Sequence, residues 1–401
     1  MSRTRRNQDA AYLERAERLL LELLAVPGRS GHEARILETI AGHLRAAGAP
    51  SSWLRFDDAH RRSRHGGEVG NLICRLPGDC AGPRRLLMAH VDTVPLCEGA
   101  VPVRRGRWLV PADPSTGLGA DDRAGAAAVL ATATEILRRR LPHPPLVFVW
   151  TVQEEVGLYG ARHLCLGLLG RPRLAFNFDG GSPEKITIGA TGGYRMEIRV
   201  RGRAAHAGNA PEQGVNAATV AGLAIARLHA EGWLGLIEKP DGRGTSNLGV
   251  VHGGEATNVV MPLIELRAEA RSHDPRFRRK IVEAYRRAFR DAACEVVSAA
   301  GRRAKIEFQG RLDYEAFRLA DDEPCVVAAE QAVRAAGGSP RRAVSNGGLD
   351  ANWLSARGIP TVSLGCGQLH PHTTAERLEL RGFRLACRVA LRLAAPRLES
   401  S

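Results

Sequence analysis

The sequence predicts an α/β fold, with a mostly parallel central sheet flanked by helices and a smaller α+β domain inserted into it. Apolar runs without alternation, at residues 71–76, 85–90, 146–153 and 174–179, are typical of strands buried on both faces. Helical stretches separate these runs, and the Ala-rich segment 123–140 is the clearest of them. At 401 residues the chain exceeds a typical single domain, which favours two domains.

The first part of the chain opens with two predicted helices. They cover residues 8–27 and 32–48, where Leu, Ala and Val recur at helical spacing, and the first ends near Pro27. Two further apolar runs, at 108–111 and 186–190, complete the strands predicted before the insertion. Strands that alternate with helices in this way indicate an α/β sheet.

The pattern changes at about Gly192. Residues 194–200 alternate apolar and polar side chains, as a strand with one exposed face does. A helix, two strands, a helix and a strand follow, at 213–231, 245–252, 257–270, 275–299 and 304–309. This βαββαβ order describes a compact domain with one sheet and two helices. We therefore expect a catalytic domain of residues 1–190 and 317–401, interrupted by an inserted domain of residues 191–316.

The composition excludes several classes of protein. The formal net charge of +14 is compatible with nucleic-acid binding, but the Arg residues are spread along the chain with few aromatic residues between them. We expect no nucleic-acid partner. No run approaches about 18 apolar residues, so no membrane span is expected, and the basic N-terminus without an apolar core favours the cytoplasm. None of the eight cysteines forms a C-x-x-C pair, which argues against a thiolate zinc site.

Acidic or His residues stand at five places where an apolar run or a Gly-rich stretch meets a loop. They are His90 with Asp92, Asp121 with Asp122, Glu154 with Glu155, Asp179, and His370 with His372. Because strand side chains alternate between faces, His90 and Asp92 can lie side by side. Taken singly, these places have ordinary explanations, such as an Asp that caps a helix or a Glu pair on a solvated loop.

Taken together, these residues predict a metal site. Ligands bind at the carboxyl ends of the strands in open α/β sheets. Imidazole and carboxylate groups without a thiolate suit Zn²⁺ or a similar divalent ion. There are enough of them for two ions that share one carboxylate, as in two-metal hydrolases.

Four motifs follow one another along the chain at His90–Pro95, Gly119–Gly125, Gln153–Gly157 and Asn177–Gly180. In order and spacing they resemble the M20 metallopeptidase family, and most closely its peptidase T-like branch. The resemblance covers nearly the whole chain, including the inserted domain. It implies a zinc-peptidase-like catalytic domain and an inserted lid and dimerisation domain.

The resemblance also implies the ligands of two divalent ions, most simply Zn²⁺, with Co²⁺ or Mn²⁺ as alternatives. The ligands would be His90 and Asp179 for one ion, Glu155 and His372 for the other, and Asp121 as the bridge between them. Asp121 is preferred to Asp122 because Asp-Asp-Arg aligns with the family pattern of an Asp, then any residue, then a basic residue. His372 is preferred to His370 because Glu376 stands four residues after it, although Pro371 departs from the family pattern.

The remaining roles come from the same resemblance. Asp92 would orient His90, and Glu154 would be the general base and later the general acid. In the inserted domain His206 would stabilise the oxyanion. Asn258 and Arg271 would bind the carboxylate end of the substrate, and Gly347 and Gly348 would line the cleft. The alternatives are an ordinary turn His for His206 and a structural salt bridge for Arg271.

The implied function is two-metal hydrolysis of amide bonds in small peptides, as by a peptidase T-like exopeptidase. Within the same family, an N-acyl-amino-acid deacylase or a carboxypeptidase is the alternative. Outside the enzyme class, a metal-binding protein without catalysis is disfavoured, because it would not need Glu154. The resemblance further implies a homodimer that forms through the lid domain.

Overall fold

The structure of the protein is a computed structural model that describes residues 3–396, with side chains from residue 7 onward. It divides into two compact units. The first unit comprises the residues up to Gly189 together with those from Arg318, and the second unit comprises Ala190–Phe317. The boundaries expected from the sequence lie after residues 190 and 316. Within the described residues, no helix combines the length and the apolar character that crossing a membrane requires.

The described residues contain the following regular elements. The α-helices are α1 (Arg3–Ala25), α2 (Ala34–Ala46), α3 (Ala59–Arg62), α4 (Ala120–Arg139), α5 (Tyr159–His163), α6 (Ala217–Ala230), α7 (Pro275–Glu295), α8 (Pro324–Ala335), α9 (Asp350–Ala356) and α10 (Leu380–Ala394). The strands are β1 (Leu54–Phe56), β2 (Leu72–Leu76), β3 (Arg85–His90), β4 (Pro102–Arg105), β5 (Trp108–Pro111), β6 (Leu146–Thr151), β7 (Leu174–Phe178), β8 (Lys185–Ala190), β9 (Gly192–Arg201), β10 (Gly235–Lys239), β11 (Gly242–Gly253), β12 (Leu263–Ser272), β13 (Lys305–Tyr314), β14 (Phe317–Arg318), β15 (Arg341–Ser345), β16 (Thr361–Leu364), β17 (Gln368–Leu369) and β18 (Arg377–Glu379).

A nine-stranded sheet forms the centre of the first unit, in the order β1-β2-β6-β3-β7-β16-β8-β14, with β15 also paired to β8. The four strands β6, β3, β7 and β16 run parallel. Outside them β2 pairs antiparallel with β1 and β6, and β8 pairs antiparallel with β16. The α/β class is confirmed, and the sheet is mixed, with the expected parallel strands at its centre and antiparallel pairs outside them. The apolar runs could not reveal this, because β2 and β8 are buried like the central strands.

The helix α4 lies between the central sheet and two outer helices. It contacts β3, α1 and α10, and its residues 122–136 are all buried. Such all-round burial explains why its sequence is rich in Ala. Gly125 allows a close approach to β7, because any side chain at this position would overlap the carbonyl oxygen of Phe178. The start of α4 therefore lies beside the end of β7.

A separate four-stranded sheet has the order β17-β18-β5-β4. The apolar run at 108–111 forms β5, so this strand lies in the small sheet and not in the central one. The antiparallel pair β17 and β18 encloses residues 370–376 as its connecting loop. The small sheet therefore holds in place the loop that carries His372.

The second unit is a five-stranded sheet in the order β10-β11-β12-β9-β13, packed against α6 and α7. The predicted alternation of β9 is confirmed, since Met196, Ile198 and Val200 are buried in the core with the two helices. The predicted βαββαβ order lacks one strand, β10, and the observed order is βαβββαβ. Only Ile237 of β10 is buried, so its sequence carries no alternation to recognise.

Candidate active site

The parallel strands of the central sheet bring several predicted site residues to one edge. The strands β6, β3 and β7 are neighbours and point the same way. His90 ends β3, Glu154 and Glu155 follow β6, and Asp179 follows β7. These side chains therefore meet at the carboxyl ends of the strands, where α/β sheets bind ligands.

The Asp121 carboxylate lies between two imidazoles from distant parts of the chain. Its Oδ1 is 3.5 Å from Nε2 of His90, and its Oδ2 is 3.4 Å from Nε2 of His372. The same His372 nitrogen lies 2.8 Å from Oε1 of Glu155. Each carboxylate oxygen of Asp121 thus faces a different imidazole, as a carboxylate shared by two cations would require.

Three overlapping groups of side chains offer ligand atoms within 4.8 Å of one another. The groups are His90 with Asp121 and Glu155, His90 with Glu154 and Asp179, and Asp121 with Asp122 and Asp179. His372 joins them through its contacts with Asp121 and Glu155. The structure therefore brings together all five ligands inferred from the sequence, and Glu154 with them.

Asp122 has a different position from Asp121. Its Oδ1 accepts the backbone N–H of Gly125 at 3.1 Å, as a helix-capping Asp does. Its Oδ2 is buried and has no hydrogen-bond partner among the described residues. A buried carboxylate oxygen without a partner, next to Asp121 and Asp179, fits a site that binds a cation.

The electrostatics of the cluster also favour a cation. Burial, followed by the charge of Asp121, raises the pKa of Asp179 to about 7. Burial raises the pKa of Glu154 well above its usual value, and Glu155 and Asp179 add to the shift. Contacts with Asp121 and Glu155 raise the pKa of His372 to about 10. Protons thus balance the crowded carboxylates here, and divalent ions could do the same.

Asp92 contacts both sides of the cluster. Nδ1 of His90 is 3.1 Å from the backbone oxygen of Asp92 and 3.4 Å from its Oδ1, which leaves Nε2 facing Asp121. The Asp92 carboxylate also accepts the backbone N–H groups of Glu154, at 2.9 Å, and Glu155, at 3.1 Å. The sequence suggested only the orientation of His90. The structure adds that Asp92 holds the turn that carries both Glu residues.

Glu376 connects the two loops that meet at the cluster. Its buried carboxylate accepts the backbone N–H groups of Leu118 at 2.8 Å, Gly119 at 2.7 Å and Asp121 at 3.0 Å. The sequence used Glu376 only to choose between His370 and His372. Its contacts now explain the spacing: the loop that carries His372 is tied by this carboxylate to the loop that carries Asp121.

Three other predicted residues lie in the second unit. Nδ1 of the exposed His206 accepts the backbone N–H groups of Gly208 and Asn209, both at 3.1 Å. The ring proton of neutral His206 therefore resides on Nε2. Asn258 lies beside it, because the Asn258 carbonyl accepts the N–H of Ala207 at 2.9 Å.

Arg271 is paired within the second unit. Its Nε lies 2.9 Å from Oε1 of Glu269, so the structural salt bridge weighed in the sequence is present. Gly347 and Gly348 lie in the first unit, in the loop between β15 and α9, where the Gly347 N–H contacts the hydroxyl of Ser345 at 3.1 Å. A substrate carboxylate would have to compete with Glu269 for Arg271.

Sequence reasoning gave no role to several polar residues around the cluster. Nε2 of Gln368 donates to Oδ1 of Asp121 at 3.0 Å, and the buried Asp350 accepts the hydroxyl of Thr151 at 2.5 Å. Asp350 begins α9 and Gln368 lies in β17, within the Gly-rich stretches at 345–352 and 364–376, which are the only signal for them in the sequence. Ser30 donates to Asp92 at 2.7 Å, and nothing in the sequence marks it.

Known proteins resemble this chain in sequence and in fold. The sequence matches the model of peptidase family M20/M25/M40 over residues 86–395. The YqjE protein of Bacillus subtilis is 32% identical over 361 residues, which cover 90% of this chain and 92% of that protein. The solved structure of a tripeptidase from Staphylococcus aureus is 31% identical, has a TM-score of 0.85, and is matched over 96% of this chain and 98% of that chain.

The solved structure of the aminopeptidase PepT from Bacillus cereus is also similar. It is 31% identical with a TM-score of 0.82, and the match covers 96% of this chain and 98% of that chain. The similarity extends over the whole fold and is not confined to the clustered residues. The chain therefore belongs to peptidase family M20/M25/M40 and is a metal-dependent hydrolase of peptide bonds.

Proposed function

We propose that this protein is a peptidase T-like exopeptidase that cleaves small peptides with two bound divalent ions. The position of the Asp121 carboxylate between the imidazoles of His90 and His372 carries this proposal. His90 and Asp179 would hold one ion, Glu155 and His372 the other. Asp121 would bridge them.

The donor set supports Zn²⁺, with Co²⁺ or Mn²⁺ as alternatives, because it combines imidazoles and carboxylates without a thiolate. When bound, a pair of such ions supplies Lewis acidity, which makes water more acidic and polarises a carbonyl group. Asp92 fixes the tautomer of His90 by contact with its Nδ1. The buried Oδ2 of Asp122 offers a further carboxyl oxygen close to Asp121 and Asp179.

Glu154 is proposed as the general base and then the general acid. Its backbone N–H is held by Asp92, so its side chain starts from a fixed point. The raised pKa of Glu154, caused by burial and by neighbouring carboxylates, suits a group that takes a proton from water and returns it to the leaving amine. This role needs no covalent intermediate with the protein.

The substrate assignment rests on similarity to known proteins. A tripeptidase and an aminopeptidase are among the similar solved structures, which supports small peptides with a free amino terminus. His206 would donate its Nε2 proton to the oxyanion. Asn258 and Arg271 would bind the peptide carboxylate, and Gly347 and Gly348 would line the cleft. A homodimer through the second unit and a cytoplasmic location stay predictions.

A panel of substrates tests the assignment with metal-loaded protein. Tripeptides with a free amino terminus should be cleaved fastest, because the proposed enzyme is an exopeptidase of the peptidase T kind. The same tripeptides with an acetylated amino terminus serve as the control and should be cleaved much more slowly. Faster hydrolysis of N-acyl amino acids would instead identify the deacylase alternative, and faster release of a carboxyl-terminal residue would identify a carboxypeptidase.

Replacement of the proposed base separates catalysis from metal binding. Glu154→Gln should lower kcat by about 10²- to 10⁴-fold, the usual contribution of a general base, and should keep the bound metal. Elemental analysis and peptide kinetics measure the two effects. Glu14→Gln on the exposed face of α1 is the control, and His90→Ala should lose metal instead. Turnover by Glu154→Gln at the wild-type rate would refute the role.

Metal uptake should release protons. The pKa of His372 is raised to about 10 by Asp121 and Glu155, so this imidazole is protonated in the metal-free protein at neutral pH. A ligating imidazole is neutral, and metal affinity should therefore rise with pH below about pH 10.

Calorimetric titration in two buffers of different ionisation enthalpy counts the protons that metal binding releases. His372→Ala should release fewer protons, and His370→Ala the same number. A buffer-independent enthalpy in the wild type would contradict the expectation.

A further inference from the structure

We propose that Glu33, a buried residue far from Glu154 in sequence, is a positioning residue that fixes the backbone of Gln153 and so aims the Glu154 side chain. The inference rests on the proposed role of Glu154 as the base. It concerns a loop before α2 that the preceding assignments do not use.

Glu33 is fully buried, and its carboxylate binds amides that lie outside its own helix. It stands at the start of α2, where an acidic residue interacts favourably with the helix dipole, but its side chain accepts no amide of that helix. Instead Oε1 accepts the backbone N–H of Gly31 at 2.8 Å and that of Gln153 at 3.1 Å. The ordinary role of such a residue, an interaction with the helix dipole, therefore does not account for the burial of this carboxylate.

Gln153 has an unusual backbone conformation. Its φ of 53° lies in the left-handed region, which residues other than Gly seldom adopt. The residue is fully buried, and both polar atoms of its side-chain amide are hydrogen-bonded. Oε1 accepts the hydroxyl of Ser63 at 2.6 Å, and Nε2 donates to the Gly66 carbonyl at 2.7 Å. The bond to Glu33 holds the backbone N–H of this residue, while its backbone carbonyl accepts the N–H of Tyr159 at 3.0 Å.

Gln153 is the first of three consecutive residues whose backbone N–H groups donate to buried carboxylates. The N–H of Gln153 binds Glu33, and the next two, of Glu154 and Glu155, bind Oδ1 and Oδ2 of Asp92. Two buried carboxylates thus define the path of three consecutive residues. Loss of the bond at Gln153 would free the first of these amides, while the bonds from Glu154 and Glu155 to Asp92 would remain.

Buried charge near this row is partly balanced. Burial, followed by the charge of Asp92, raises the pKa of Glu33 to about 8. Burial lowers the pKa of Arg123 to about 10, against the opposing charges of Asp92 and Glu33, so a buried cation stands near both carboxyl groups. Whether ionised or neutral, Glu33 keeps the oxygen that accepts from Gln153. The acceptor oxygen, rather than the charge, is what positions the turn.

Two substitutions of Glu33 test the role of the acceptor oxygen, because Gln keeps this oxygen and Ala does not. Glu33→Ala should lower kcat about 10- to 100-fold, as loss of a supporting contact around a metal site commonly does, with KM and metal content unchanged. Glu33→Gln should restore most of the turnover. Glu68 provides the control. Its carboxylate lies 2.9 Å from Nδ1 of His32 and accepts the Ala34 N–H at 3.4 Å, at the start of the same helix, but it has no bond to Gln153. Glu68→Ala should leave kcat unchanged.

Hydrogen exchange gives a readout that is independent of activity. In Glu33→Ala the Gln153 amide should exchange faster than in the wild type, whereas in Glu33→Gln and Glu68→Ala it should stay protected. Wild-type kcat and unchanged exchange in Glu33→Ala would overturn the inference, as would a Glu33→Gln variant as impaired as Glu33→Ala. The proposed function fails differently, through an inactive wild type or an active Glu154→Gln variant, and the exchange data still decide the contact with Gln153.

Discussion

Carboxylates crowded at one edge of the central sheet are the constraint on which the rest of this site depends. Asp121, Asp122 and Asp179 offer ligand atoms within 4.8 Å of one another, and Glu154 and Glu155 stand beside them. Like charges at this distance in a buried place are unfavourable unless protons or cations balance them. The fold keeps them together because three parallel strands end there and α4 begins there. This crowding of carboxylates is the structural reason to expect metal ions.

Backbone amides held by buried carboxylates are the means by which the loops of this site keep their shape. Asp92 accepts two such amides, Glu376 accepts three, and Glu33 accepts two. Each of these groups joins segments that are remote in sequence, so loops without regular structure acquire fixed positions. Residues other than those proposed to bind metal or substrate therefore help to fix the shape of this site.

The sequence predicted the parts of the structure that have a local signature. Buried strands such as β3 and β7 are apolar runs that stop at a proposed ligand, so the run itself marks His90 and Asp179 as residues at a strand end. The mixed direction of the sheet has no such mark, because β2 and β8 are as apolar as the parallel strands. Glu33 has no such mark either, since an acidic residue at the start of a helix is commonly explained by the helix dipole, and only the folded chain brings Gln153 to it.

Anomalous diffraction from crystals of the zinc-loaded protein tests the central claim most directly. The account predicts two zinc peaks about 3.5–4 Å apart, on either side of the Asp121 carboxylate, as in two-metal hydrolases. One peak should contact His90 and Asp179, and the other should contact Glu155 and His372. A single peak, or two peaks that do not share Asp121, would contradict it.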